Sequence, residues 1–96
     1  MSGEHEPLDG NAAAGTLAEA FGVDLTAARG ECLGCGARAP LAATVAYRHG
    51  EDWVLRCRGC DAVLLRVVRA PDRVWVELGG LRSLRLPASP ERSAPR

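Results

Sequence analysis

From Leu41 to Leu78 apolar and polar residues alternate in short runs, the period of half-buried β-strands. Leu41, Ala43, Val45 and Tyr47 alternate with Ala42, Thr44, Ala46 and Arg48. After a hairpin signal at Arg48-His49-Gly50-Glu51-Asp52, the segment Trp53-Val54-Leu55-Arg56 returns as a second strand. Ala62 to Arg69 predicts a third, with Val63, Leu65 and Val67 on one face. Ala70-Pro71-Asp72 marks a tight bend, since Pro fixes φ and Asp caps the turn. Arg73 to Leu78 then sets Val74, Val76 and Leu78 opposite Arg73, Trp75 and Glu77. Gly79-Gly80 is a further turn, and Leu81 to Leu86 predicts a short edge strand.

Upstream the period changes. Ala13, Ala14, Leu17, Ala20 and Phe21 recur at helical spacing and predict an amphipathic helix of about twelve residues. Asp9 or Asn11 can cap its start through a side-chain oxygen, and Gly22 supplies a left-handed stop. Thr16-Leu17-Ala18-Glu19 also matches a capping box, but a start there leaves barely two turns. A helix this short is marginal alone, so its stripe must dock on the strands. Gly15 inside it either weakens the helix or permits close approach to a neighbour. Val23 to Arg29 reads as a connector, with a short strand at Asp24–Ala28.

The four cysteines organise these elements. Cys32-Leu33-Gly34-Cys35-Gly36 is answered, with twenty-one residues between Cys35 and Cys57, by Cys57-Arg58-Gly59-Cys60-Asp61. Two Cys-x-x-Cys pairs at this separation match a ribbon-type zinc site. Each tight turn presents two sulfurs to one cation, and Gly34, Gly36 and Gly59 let backbone amides fold back towards them. Four thiolates close the coordination of Zn²⁺, so the expected role is structural. An iron centre of the rubredoxin kind shares the geometry and stands behind zinc. A disulfide framework needs an oxidising compartment, and Met1 to Asn11 is acidic and polar with no apolar run. A thioredoxin-like motif uses one pair beside a βαβ unit, which the pattern lacks.

Length makes the metal matter. The 96 residues suit one small domain, with disordered segments at 1–7 and 87–96 around a domain at 8–86. The aromatic set is Phe21, Tyr47, Trp53 and Trp75, so Val, Leu and Ala must build the core, with the tryptophans filling it. A structural zinc contributes about 10–16 kcal/mol in finger peptides. A whole domain's net stability is about 5–15 kcal/mol. The Cys32–Cys60 region is therefore expected to unfold without metal.

A formal net charge of zero conceals an asymmetry. Arg29 alone offsets Glu4, Glu6, Asp9, Glu19, Asp24 and Glu31, whereas eleven arginines follow from Cys32 onward. There is no lysine, which GC-rich codon usage explains more simply than function does. No apolar segment approaches the roughly twenty residues of a membrane span, so a cytoplasmic protein is expected.

Arg56 and Arg58 flank Cys57, and Arg66 and Arg69 lie on the next strand. The simpler reading is that they neutralise the negative zinc–thiolate centre. The sharper one is a nucleic-acid face of Arg38, Arg48, Arg56, Arg58, Arg66, Arg69 and Arg73, with Trp53 or Trp75 as a stacking platform. A sequence pI near 6.7 weighs against it. Glu51-Asp52 resembles the acidic pair that zinc ribbons of transcription-elongation factors project from a hairpin. Here the acids stand only five residues before Cys57, and adjacent acids in a turn are ordinarily just solvated. His5 and His49 are not needed as ligands and read as exposed. No nucleophile motif or phosphate loop is present, so no enzymatic activity is expected.

Leu8-Asp9-Gly10-Asn11-Ala12, Gly15, Phe21-Gly22, Cys32-x-x-Cys35-Gly36, Tyr47 and Arg56-Cys57-x-x-Cys60 together resemble a family of small bacterial zinc-ribbon proteins catalogued as a domain of unknown function. The resemblance covers about residues 8–86. It implies the zinc-binding fold with ligands Cys32, Cys35, Cys57 and Cys60, and no activity. The second turn departs from the commoner Cys-Gly by ending in Cys60-Asp61. The sequence thus predicts an α+β, mostly antiparallel β zinc ribbon with one N-terminal helix packed on the sheet. Its expected role is a structural-zinc module that docks on a protein partner. Nucleic-acid binding is the first alternative, and a zinc–thiolate redox switch is the second.

Overall fold

Leu8–Asp9 forms a two-residue strand, β1, where the computed structural model begins its description, which covers residues 8–22 and 24–86. The segments 1–7 and 87–96 assigned to disorder, and with them His5, lie outside it. A 3-10 turn over Gly10–Ala13 runs into the helix α1, Ala14–Phe21, so the two together span the stretch with helical spacing. Gly22 ends α1 with φ of 76°, and its N–H donates to the Ala18 carbonyl, as a left-handed stop should. The start differs from expectation. Neither turn nor helix has a side-chain cap, because Asp9 lies in β1 and turns its carboxylate elsewhere.

Seven further strands follow: β2 (Arg29–Cys32), β3 (Arg38–Pro40), β4 (Val45–His49), β5 (Asp52–Arg56), β6 (Val63–Ala70), β7 (Arg73–Glu77) and β8 (Leu81–Arg85). They form two antiparallel sheets instead of one, ordered β1-β4-β5-β6-β7 and β3-β2-β8. The fold is α+β and mostly β. Two hairpins have two-residue loops, Gly50-Glu51 and Pro71-Asp72, as their register requires. Strand β8 leaves its sequence neighbour β7 and pairs with β2, which carries the chain into the smaller sheet.

Three predicted strands shift. Asp24 accepts bonds from the Thr26 N–H (2.9 Å) and hydroxyl (2.7 Å), so 24–28 turns where a strand was expected, and β2 begins at Arg29. Those bonds, the backbone one first, hold the Asp24 carboxyl below its usual range. Leu41–Ala43 forms a 3-10 turn after Pro40, and the Thr44 hydroxyl donates to the Leu41 carbonyl at 2.7 Å. Strand β4 therefore starts at Val45. Leu78 falls just beyond β7.

One face of the larger sheet meets α1. Leu17, Leu25, Leu41, Leu55, Leu65 and Val67 are fully buried there, with Ala13, Ala28, Ala46 and Trp53 between them and Leu81 and Leu84 of β8 packed against them. Trp53 fills the core as expected, but Trp75 is 54% exposed on the opposite face. Val63 also lies outside, because the β5–β6 register slips between Leu55 and Arg56. Leu55 faces Leu65 and Arg56 faces Val63, so the extra residue, Leu64, turns inward and is buried.

Gly15 is exposed on α1, and a β-carbon added there meets nothing within 4 Å. It serves no close approach. Gly15→Ala is expected to raise stability by about 0.5–1 kcal/mol, read as a higher melting temperature at unchanged metal content.

Candidate metal centre

The two Cys-x-x-Cys turns are built to one plan. In the first, the Cys32 N–H donates to the Ala37 carbonyl and the Gly36 N–H to the Cys32 carbonyl, both at 2.8 Å. In the second, the Cys57 N–H donates to the Ala62 carbonyl and the Asp61 N–H to the Cys57 carbonyl, again at 2.8 Å. Gly36 has φ of 81° and Asp61 has φ of 68°. Asp is among the few L-residues that adopt this conformation, so the departure from Cys-Gly leaves the turn intact. The Arg56 guanidinium donates to the Asp61 carbonyl at 2.9 Å and lies 3.7 Å from its carboxylate, which holds the unusual residue in place. Asp61→Gly is expected to keep metal and stability to within about 1 kcal/mol. Asp61→Val is expected to cost about 1–3 kcal/mol, because a β-branched residue is strained at positive φ. Thermal melts of the two variants check this.

Strand β2 delivers Cys32 and the end of β5 delivers Cys57, both buried, while Cys35 and Cys60 sit outward in their turns. All four Sγ atoms lie within 4.8 Å of one another. Across the two turns, Cys32 and Cys60 are 3.6 Å apart and Cys35 and Cys57 are 3.7 Å apart. A tetrahedron of sulfurs about 2.3 Å from a central zinc has edges of about 3.8 Å. The spacing suits a shared cation, and the four thiols are free, with no disulfide. The donor set fits a divalent metal.

The protons on these thiols are held unequally. The Cys35 backbone N–H, helped by that of Gly34, draws the Cys32 thiol down to about 7 against the cost of burial. The Ala62 N–H pulls Cys60 the same way, but the Cys32 thiol, then burial, then Cys35 and Cys57 outweigh it and push Cys60 up to about 12. The first thiolate forms readily and the last is opposed by its neighbours. A cation removes that opposition, so metal binding and proton release are coupled.

The surroundings correct several expectations. Gly34 and Gly59 have room for a β-carbon, at 3.7 Å or more from the nearest sulfur, so of the three turn glycines only Gly36 is required by its backbone. Leu64, turned inward by its bulge, packs with Cys32 and Cys57, flanked by Ala62 and Leu81. Beside them a hollow of about 330 Å³ opens between the sheets, walled by Ala37, Ala39, Leu41 and Leu64. Arg58 does not face the sulfurs. Its guanidinium donates to the Ala43 carbonyl at 2.9 Å and pairs with Asp9 at 3.3 Å. Arg66 pairs with Glu77 at 3.6 Å, and Arg69 with Glu19 of α1 and Glu51. Arg56, Arg58, Arg66 and Arg69 are thus each paired with a different carboxylate or carboxylates. Arg48 lies over the Trp53 ring and Arg73 pairs with Asp72. Glu51 is held by Arg69 at the hairpin tip, and Asp52 accepts the Arg69 backbone N–H at 3.0 Å. His49 is exposed at the end of β4 and is outside the sulfur cluster. Among the described residues no helix is long and apolar enough to cross a membrane.

The role of Leu8-Asp9-Gly10-Asn11 was invisible to local reasoning. Leu8 and Asp9 pair with Ala46 and Val45, and Asp9 reaches Arg58 in the second cysteine turn. Gly10 is buried and donates to the Thr44 carbonyl at 2.9 Å, and a β-carbon there would stand 1.8 Å from the Leu41 carbonyl oxygen. The motif clamps the segment from Leu8 to Gly10 beside the second cysteine turn.

Comparison with curated proteins and with solved structures finds no match to this chain. A match of another kind covers nearly all of it, at residues 3–89. The chain belongs to a family of unknown function (DUF6510).

Proposed function

We propose that this chain is a non-enzymatic binding module, cytoplasmic, held together by one structural Zn²⁺ on Cys32, Cys35, Cys57 and Cys60, and that it docks on a protein partner. The observation that carries the metal reading is the sulfur cluster, with cross-turn spacings of 3.6 and 3.7 Å. Four thiolates fill the coordination shell of zinc and leave no position for a substrate, the arrangement of structural sites. An all-thiolate set favours zinc or iron over harder cations.

The face of the larger sheet that the described residues leave uncovered supports the partner reading. Tyr47, Val54 and Arg66 run across it in register, with Val68 beside Trp75 in the next row. Arg56 and Arg66 are balanced there by Asp61 and Glu77. A face that sets Tyr47, Val54, Val68 and the exposed Trp75 among charges of both signs suits a protein surface better than a polyanion.

Native mass spectrometry of the purified chain is expected to show one zinc per polypeptide, and an iron mass or no metal would refute the assignment. Trp75→Asp is expected to keep that zinc and a dispersed NMR spectrum while losing the partner that the unaltered chain binds stoichiometrically. Retention of the partner by that variant would remove the sheet face from the proposal.

A further inference from the structure

The smaller sheet carries a different surface. Strands β3, β2 and β8 place Pro40, Arg29 and Arg85 in one cross-strand row, and Arg38, Glu31 and Ser83 in the next. A register slip between Glu31 and Cys32 adds Arg82 to the second row's surroundings. Glu31 lies 3.8 Å from both Arg38 and Arg82 and accepts the Ser83 hydroxyl at 3.3 Å. Two guanidinium groups therefore flank one carboxylate, and two more, Arg29 and Arg85, stand in the neighbouring row. Arg29 and Arg85 are directly opposite one another, and neither forms an ion pair with any described residue. Like charges at facing positions destabilise a sheet. The other arginines discussed above, Arg48 aside, each have a carboxylate partner, so this pair stands apart.

We propose that this face binds the phosphodiester backbone of nucleic acid, with Arg29 and Arg85 holding one phosphate and Arg38 and Arg82 the next. The guanidinium fork matches a phosphate's oxygens in two parallel bonds, and an anion between Arg29 and Arg85 relieves their repulsion. The two rows are two residues apart along the strands, about 6.6–6.8 Å, which suits an extended chain of anions. Both rows lack aromatic and large apolar side chains, in contrast to the face that bears Trp75. A protein partner would want an apolar centre, and base readout would want a stacking ring. Binding is therefore to backbone alone, without sequence preference. The inference does not depend on the protein-docking reading, since the two surfaces belong to different sheets.

The test is fluorescence anisotropy of the zinc-loaded full chain with a labelled single-stranded oligonucleotide of about twelve nucleotides, across a salt series. The expected plot of log affinity against log salt has a slope of about −1.4, for two phosphates neutralised in a single strand. Affinities for oligo-dT and a mixed sequence should agree. Arg29→Gln with Arg85→Gln should weaken binding by roughly tenfold or more and flatten the slope by about 0.7. Arg66→Gln with Arg73→Gln, on the larger sheet, should change neither. No saturable binding at low salt, or a slope unaltered by the Arg29/Arg85 pair, would overturn the proposal. So would equal competition by polyglutamate, which would show an acidic polymer of any kind, or by inorganic phosphate, which would show a simple anion site.

Discussion

Chelating the metal, or replacing Cys57 by serine, is expected to abolish cooperative folding. The argument is one of where cohesion lies. Around Leu17, Leu55 and Leu65 the larger sheet has an apolar core, whereas the metal end has only Cys32, Cys57 and Leu64, with Ala62 and Leu81 against them. The smaller sheet is tied to the larger near that end by two backbone bonds, Leu33 N–H to the Gly80 carbonyl at 2.9 Å and Gly80 N–H to the Leu64 carbonyl at 3.2 Å. A structural zinc worth about 10–16 kcal/mol outweighs the whole net stability of about 5–15 kcal/mol of an ordinary domain. Circular dichroism should lose its sheet signal on chelation, and amide exchange should lose protection first at Cys32, Leu33, Gly36, Cys57 and Asp61. Cys35→Ser, at an exposed ligand, should bind zinc more weakly but retain the buried sulfurs. Because binding displaces thiol protons, less chelator should be needed as the pH falls. An unchanged spectrum without metal would show that the Leu17-centred core suffices.

What the sequence made legible was local. Two residues between cysteines define a turn wherever they occur, and alternation over Trp53–Arg56 or Arg73–Glu77 reads as a strand without knowledge of its neighbours. What escaped depended on pairing across long separations. Two register slips, near Leu64 and Arg82, reverse which side chains face inward, and no local pattern announces them. The second sheet exists because β8 crosses to β2, a partner about fifty residues earlier, so an edge strand read from Leu81–Leu86 had no assigned sheet. Asp9 reads as a helix cap when only its neighbours are considered, yet its ion-pair partner is Arg58. Trp75 shows the limit of composition: a chain short of aromatics still leaves one exposed. The arginine surface moved for the same reason. Proximity to Cys57 pointed to Arg56 and Arg58, whereas the fold gathers Arg29, Arg38, Arg82 and Arg85 from three strands.

Gly80→Ala is expected to be as damaging as loss of a ligand, although it removes no contact. A β-carbon at Gly80 would stand 1.8 Å from the Val63 carbonyl oxygen and 2.9 Å from the Leu64 Cα, both backbone atoms that no rotamer change can move aside. Relief requires the turn before β8 to lift from β6. That turn holds both bonds between Gly80 and its neighbours, to Leu33 in the first cysteine turn and to Leu64 in the bulge that packs on Cys57. Lifting it would separate the two halves of the sulfur cluster, so metal affinity should fall together with stability. Overpacking in a core costs about 1–3 kcal/mol where side chains can adjust. With backbone on both sides the loss should exceed that range, enough to unfold a small domain. Gly79→Ala supplies the control, since its β-carbon would meet nothing within 4 Å and should change melting temperature and zinc content little. If both variants behave alike, the crossover tolerates displacement and the sheets are held by the metal alone. If only Gly80→Ala releases zinc, the close approach of two backbones near the cysteine turns is as much a part of the metal centre as the sulfurs are.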